Sequence, residues 1–212
     1  RDAAGANPTL ETVALVRDLG GAGKRIGVEY ESYGLTHFNG RRLEAAFAGV
    51  AALVDASDIV PRLRAVKSAA EIAFVREAGR LSDLADRAAV DAIRAGADEG
   101  EILAAQQGAI FAAGGDYPGN EFIVGSGRDA LLCRYKSGRR RLDPVDQITL
   151  EFAGAFRHYH AAIMRTVTVG EPRPLHVRYH AAAREALLAC EAAIRPGATA
   201  GEVFAAHTGV FD

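Results

Sequence analysis

The feature that most limits how this chain can fold is that it partly repeats itself. Ala92-Ile93-Arg94-Ala95-Gly96-Ala97-Asp98-Glu99-Gly100-Glu101-Ile102 matches Ala193-Ile194-Arg195-Pro196-Gly197-Ala198-Thr199-Ala200-Gly201-Glu202-Val203, with seven identities in eleven positions at an offset of 101 residues. In each copy an Ala-rich helix is expected to stop at a glycine, Gly96 or Gly197, and a second helix to open with Gly-Glu. Glycine enters the left-handed C-cap conformation without a steric penalty, and an acidic residue suits the positive end of a new helix. Solenoid units run to roughly 20–50 residues, so this offset instead predicts two helix–turn–helix halves related by pseudo-two-fold symmetry. The first long helix starts at Ser68-Ala69-Ala70-Glu71, a capping-box sequence. Behind it Ile72, Val75, Ala85, Ala89 and Ile93 recur at helical spacing as far as Arg94.

Strand material lies between the copies. Phe122-Ile123-Val124 runs into Gly125-Ser126-Gly127, predicted as a close-packed turn because no helix with Lys-Ser/Thr follows, as a phosphate loop would need. Gln147 to Phe152 alternates apolar and polar; a turn is expected at Ala153-Gly154 and a return strand from Phe156 to Val169. Before Pro61 the rhythm is β-α-β: helix Thr9–Leu19, strand Arg25–Tyr30, helix Gly40–Val50, strand Leu53–Asp55. The sequence therefore predicts a small α/β segment over 1–62 and an α+β domain over 63–212.

Composition supports a packed core: 49% of the 212 residues are apolar, and 25 Lys+Arg against 27 Asp+Glu leave a net charge of −2. That balance gives no electrostatic case for a nucleic-acid partner. No run of about 18 apolar residues suits a membrane span. Two cysteines, Cys133 and Cys190, fit a reducing compartment, hence a cytoplasmic location. Cys133 reads either as a nucleophile activated by neighbouring Arg134 or as a small hydrophobe. Lys136 to Arg141 is expected to be a solvated basic loop. Arg1-Asp2-Ala3-Ala4-Gly5 has no apolar signal core. The absence of a starting Met, and a close at Thr208–Asp212 that reads as the middle of an element, suggest a fragment.

Polar residues crowd the hairpin: Glu151, His158, Tyr159, His160 and Arg165. The order is strand, Gly-Ser-Gly, acid-bearing strand, then a return strand with Tyr159 that closes in Arg165-Thr166 and Val169-Gly170-Glu171-Pro172. This pattern resembles peptidase family M24, the pita-bread family of methionyl aminopeptidases, prolidases, Xaa-Pro aminopeptidases and creatinase. The resemblance covers 63–212, while 1–62 resemble the end of the N-terminal domain of creatinase and prolidase. It implies a pita-bread fold, a small-molecule substrate and a homodimer, with no nucleic acid or membrane partner.

In metal-dependent members an aspartate ends the strand, a second follows eleven positions later, and Arg-Thr begins three after that. Here those positions hold Glu151, Ala162 and Arg165-Thr166; the family's histidine falls on Arg134, and His158 replaces a usual Gly. Two hard cations need shared carboxylates, alanine has no lone pair, and a permanently charged Arg134 repels a cation. The resemblance is thus to a creatinase- or ectoine-hydrolase-like branch lacking the dinuclear metal ligands, with no metal and no cofactor expected. It implies metal-independent hydrolysis of an amidine C–N bond in a small zwitterion. Glu151, His158 and His160 are the expected catalytic residues. Arg134, Tyr159 and Arg165 are expected to bind substrate, Arg134 through a bidentate pair with a carboxylate. An Xaa-Pro peptidase with an altered site and an inactive binding module are the alternatives.

Overall fold

The computed structural model describes residues 7–131 and 138–211. The chain divides into two compact units, 1–68 and 69–212.

In the first unit, α1 (Pro8–Asp18) starts where Asn7 accepts a hydrogen bond from the Thr9 amide, with Pro8 at a position whose N–H has no helical partner to lose. Then follow β1 (Arg25–Val28), α2 (His37–Phe47), β2 (Ala52–Asp55) and α3 (Ile59–Ala65). β1 and β2 pair in parallel, Arg25 opposite Ala52, as the β-α-β rhythm predicts. Val13, Phe47 and Val50 form the core between helices and strands. Two features differ from expectation. α2 begins three residues early because the Thr36 hydroxyl accepts from the Asn39 amide. A short helix not expected from the sequence, α3, follows β2, with Pro61 in its first turn, where no intrahelical N–H bond is forfeited.

The second unit carries the repeat. Helices α4 (Ala69–Ala92) and α5 (Glu99–Ala112) are joined through Gly96, whose φ is +80°, and Asp98 caps α5 by accepting from the Gly100 amide. One repeat later α6 (Pro174–Ala193) and α7 (Ala200–Thr208) are joined through Gly197 at φ +88°, and Thr199 with Glu202 forms a reciprocal capping box. Both copies therefore fold as helix, left-handed glycine and capped helix. Between them lie β3 (Ile123–Ser126), a 3₁₀ turn (Gly127–Leu131), β4 (Asp146–Phe156) and β5 (Tyr159–Val169), an antiparallel sheet of order β3-β4-β5. Along β4 the pleat buries Ile148, Leu150 and Phe152 in one core with Leu81 of α4 and Ile102 of α5. Thr149 and Glu151 look out on the opposite face. Among the described residues no helix is long and apolar enough to cross a membrane.

The β4–β5 hairpin corrects the expected turn at Ala153-Gly154. Its reversal is made by Arg157 and His158, with φ of +51° and +64°, so β4 runs four residues further than predicted and β5 begins three residues later. Gly154 serves another purpose. It is the point where β4 touches α4, and a Cβ there would stand 2.6 Å from the Ser82 nitrogen. The Ser82 hydroxyl fastens that contact, accepting from the Gly154 amide at 2.7 Å and donating to the Ala161 carbonyl at 2.6 Å. Two consecutive left-handed residues define the turn that Asn-Gly normally makes. His158→Gly should therefore stabilise the chain by about 0.5–1 kcal/mol, the released strain exceeding the entropy glycine adds to the unfolded state. The bond from the His158 amide to Asp116 Oδ2 uses only backbone and survives the change. A shift of the urea midpoint to higher concentration checks this; a shift to lower concentration contradicts it.

Candidate active site

The register of β4 against β5 sets out the outer face of the hairpin row by row. Thr149 lies opposite Thr166, Glu151 opposite Met164, Ala153 opposite Ala162 and Ala155 opposite His160. The two threonine hydroxyls stand 3.4 Å apart, as directly opposed side chains should. Glu151 and Ala162, eleven positions apart in sequence, are thus diagonal neighbours on one face. The half-buried Glu151 carboxylate is flanked across the strand by a thioether and, diagonally, by a methyl group. Among the described residues no group of three or more His, Cys, Asp or Glu side chains is placed to hold a metal ion. The position diagonal to Glu151 on this face holds the methyl of Ala162, which offers no donor atom.

The other predicted residues are not gathered around Glu151. His160 shares its face but lies four residues further along, about 14 Å by strand rise. His158 is at the turn, further still. Tyr159 belongs to the opposite face: its hydroxyl donates to Glu71 Oε1 at 2.8 Å and its ring packs on Phe74 with centroids 5.6 Å apart. One-residue alternation on the strand thus points Tyr159, an expected substrate-binding residue, at α4 rather than to the face of Glu151. Arg165, opposite Leu150, also alternates away from Glu151, and its Nη1 donates to the Met164 carbonyl at 3.1 Å. Arg134 and Cys133 lie outside the described residues.

The sequence reading missed a buried polar network at the other end of β4. Glu99, fully buried at the start of α5, accepts from the Ser126 amide at 2.9 Å and hydroxyl at 2.6 Å, and from the Arg140 amide at 3.3 Å. Arg140 Nη1 donates to Ser126 Oγ at 2.8 Å and to Asp146, while Nη2 pairs with Asp143. Burial pushes the Asp146 carboxyl up, but the Arg140 guanidinium and the amides of Asp143 and Gln147 outweigh it and hold the group below the usual carboxylate range. The same pairing raises Arg140. This corrects, for Arg140, the reading of Lys136–Arg141 as a solvated basic loop: Arg140 is drawn inward, Arg139 and Arg141 stay exposed with Arg141 Nη1 donating to the Gly96 carbonyl, and Lys136 and Ser137 lie outside the described residues. It also shows that Ser126 belongs to a strand and a hydrogen-bond network rather than to a turn. The available signal was Glu99 itself, which falls on Ala200 in the second copy of the repeat. A cleft of about 800 Å³ opens beside this network, lined by Gly127, Arg128, Asp146, Gln147, Arg173 and His176 among others.

The helix pairs and hairpin define the pita-bread fold, which the chain shares with solved structures. Xaa-Pro dipeptidase from Bacillus anthracis superposes with a TM-score of 0.83 at 26% identity, covering 98% of this chain and 57% of that one. The profile of metallopeptidase family M24 matches residues 73–212, and the chain belongs to that family. Xaa-Pro dipeptidase from Pyrococcus furiosus is 27% identical over 146 residues, 69% of this chain and 42% of that protein. Ectoine hydrolase from Halomonas elongata is 25% identical over 175 residues, 76% of this chain and 43% of that protein. The chain spans about two-fifths of the length of these two relatives.

Proposed function

We propose that this protein is a hydrolase that opens a C–N bond of an amidine in a small zwitterionic compound, in the manner of an ectoine hydrolase or creatinase, without a metal ion. The observation that carries the proposal is the pairing of Ala153 with Ala162, which puts a methyl group where the outer face would need a second oxygen donor beside Glu151. An amidinium carbon is already electron-poor, so water adds to it given a base and a nearby anion, and the proton passes to nitrogen as the C–N bond breaks. Glu151 is the proposed anion, and Arg134 the proposed partner of the substrate carboxylate. His158 and His160 stand about 14 Å or more along the hairpin from Glu151, too far to hand a proton directly to a substrate held there, so Glu151 is also proposed to activate the water. Arg165 and Tyr159 enter as supports of the hairpin that carries Glu151. The match to ectoine hydrolase supports this reading. The matches to Xaa-Pro dipeptidases favour a second one, dipeptide cleavage with an altered metal site.

The test uses the intact protein. Plasma mass spectrometry should find no stoichiometric metal, ectoine should yield an acyl-diaminobutyrate, and Glu151→Gln should lower kcat by about 10²–10⁴ with the fold unchanged. Two bound ions per site with cleavage of Xaa-Pro dipeptides would hand the case to the second reading. We further propose a homodimer, for which light scattering should give twice the chain mass.

A further inference from the structure

The segment between α5 and β3 is tied to the tip of the hairpin, and one of its ties fixes the protonation state of an imidazole. The Asp116 amide donates to the Ala155 carbonyl at 2.8 Å, and Asp116 Oδ2 accepts from the His158 amide at 3.0 Å. The Gly119 amide donates to His160 Nε2 at 2.9 Å, while His160 Nδ1 lies 2.9 Å from the His158 carbonyl oxygen. A backbone N–H can only donate, so Nε2 must offer its lone pair. A carbonyl can only accept, so Nδ1 must carry the proton. One species satisfies both bonds: the neutral ring protonated at Nδ1.

We propose that His160 is a proton-operated latch on this loop. Proton uptake at Nε2 replaces an acceptor with a donor facing the Gly119 N–H, so that bond breaks and the loop around Gly119 and Asn120 is released. The Nδ1–H bond to the His158 carbonyl persists and keeps the ring in place. Release stays local, because Pro118 is buried and Asp116 remains tied to Ala155 and His158, whereas Gly119 and Asn120 are exposed. The charged and titratable groups on the loop are Asp116, Tyr117 and Glu121, and those at the turn are Arg157 and His158. The cross-strand neighbour, Ala155, contributes none. Imidazole is the side chain whose charge ordinarily changes close to neutral pH, so the latch answers to mild acid. His160 shares the outer face with Glu151, so opening the loop alters the approach to that face. The inference holds whichever bond the protein cleaves.

Ring ¹⁵N shifts and amide exchange in the intact chain test it. At pH 8 His160 should show the neutral Nδ1-protonated pattern. Protection of the Gly119 amide, corrected for intrinsic exchange, should fall about tenfold per pH unit below the pH at which the ring charges, while the Asp116 amide keeps its protection. His160→Gln, whose Oε1 reaches the Nε2 position, should keep Gly119 protected with no step in pH. His160→Ala should expose Gly119 at every pH while α4 and α5 amides stay protected. An Nε2-protonated ring at pH 8, or the same Gly119 profile in wild type and His160→Gln, overturns the proposal.

Discussion

A Gly154→Ala chain is expected to lose about 3 kcal/mol of stability, seen as a lower urea midpoint at unchanged slope. The added methyl would stand 2.6 Å from the Ser82 nitrogen and 2.8 Å from its hydroxyl oxygen, closer than carbon approaches either atom. The Ser82 nitrogen and the nearby Ala78 carbonyl are backbone of α4 and cannot swing aside, so helix and strand must part. Parting also breaks the hydrogen bonds from Gly154 to Ser82 and from Ser82 to Ala161. Overpacking alone costs about 1–3 kcal/mol, and a buried amide left without its acceptor adds about 1–3. Gly79 offers a control in the same helix, because a Cβ there meets no atom within 4 Å. Gly79→Ala should stabilise by about 0.5–1 kcal/mol through helix propensity. If Gly154→Ala and Gly79→Ala move the midpoint in the same direction, the close approach of β4 to α4 is wrong.

Arg140→Ala should cost about 3 kcal/mol and change how stability responds to acid. Removing one member of a buried ion pair leaves the other uncompensated, at about 3–5 kcal/mol. The lower figure is expected because 29% of the Arg140 side chain remains open to water, against 5% for Asp146. In the native chain the Asp146 carboxyl sits below its ordinary value. A depressed folded value means that the stabilisation is complete above the unfolded carboxylate range and is lost as pH falls through the folded value. Acid should therefore weaken the wild type through this group. Without Arg140, burial, the largest single influence on Asp146, is opposed only by the amides of Asp143 and Gln147, and the carboxyl shifts upward. Lowering the pH from 7 to 4 should then cost the variant less than the wild type, or restore some stability. Urea midpoints at the two pH values check this, and parallel losses in the two proteins would count against the network.

How much of this was readable in the sequence depended on the range of the interaction. The helix ends at Gly96 and Gly197 were legible because capping is settled within a few neighbouring residues, and the same residues recur at both places. The diagonal placement of Glu151 and Ala162 was legible once a hairpin was assumed, since an antiparallel pair fixes which positions share a face. The turn was misplaced because glycine has two uses in a strand region: it permits left-handed backbone, or it makes room for a neighbour. Gly154 has the second use, and the helix it touches is some 70 residues earlier in the chain. The left-handed turn fell instead on Arg157 and His158, residue types that do not advertise it. Arg140 read as part of a basic run because its partner Asp146 and the hydroxyl of Ser126 come together only in three dimensions. Tyr159 and Arg165 were assigned from the family pattern they match, which does not say which face each takes; odd spacing from Glu151 along the hairpin sends both to the other side of the sheet.

The sheet order β3-β4-β5 has a consequence for material prepared as this stretch of chain. β5 is paired on one flank only among the described residues, and its eleven residues offer the other flank a row of amide and carbonyl groups in strand spacing. Such a border recruits another strand wherever one is available, and charge is the usual deterrent. Arg165 is the single residue of permanent charge between Tyr159 and Val169. Concentrated solutions should therefore be handled as prone to strand-by-strand self-assembly, with the exposed Met164 and Thr166 the places where an added lysine would most readily discourage it.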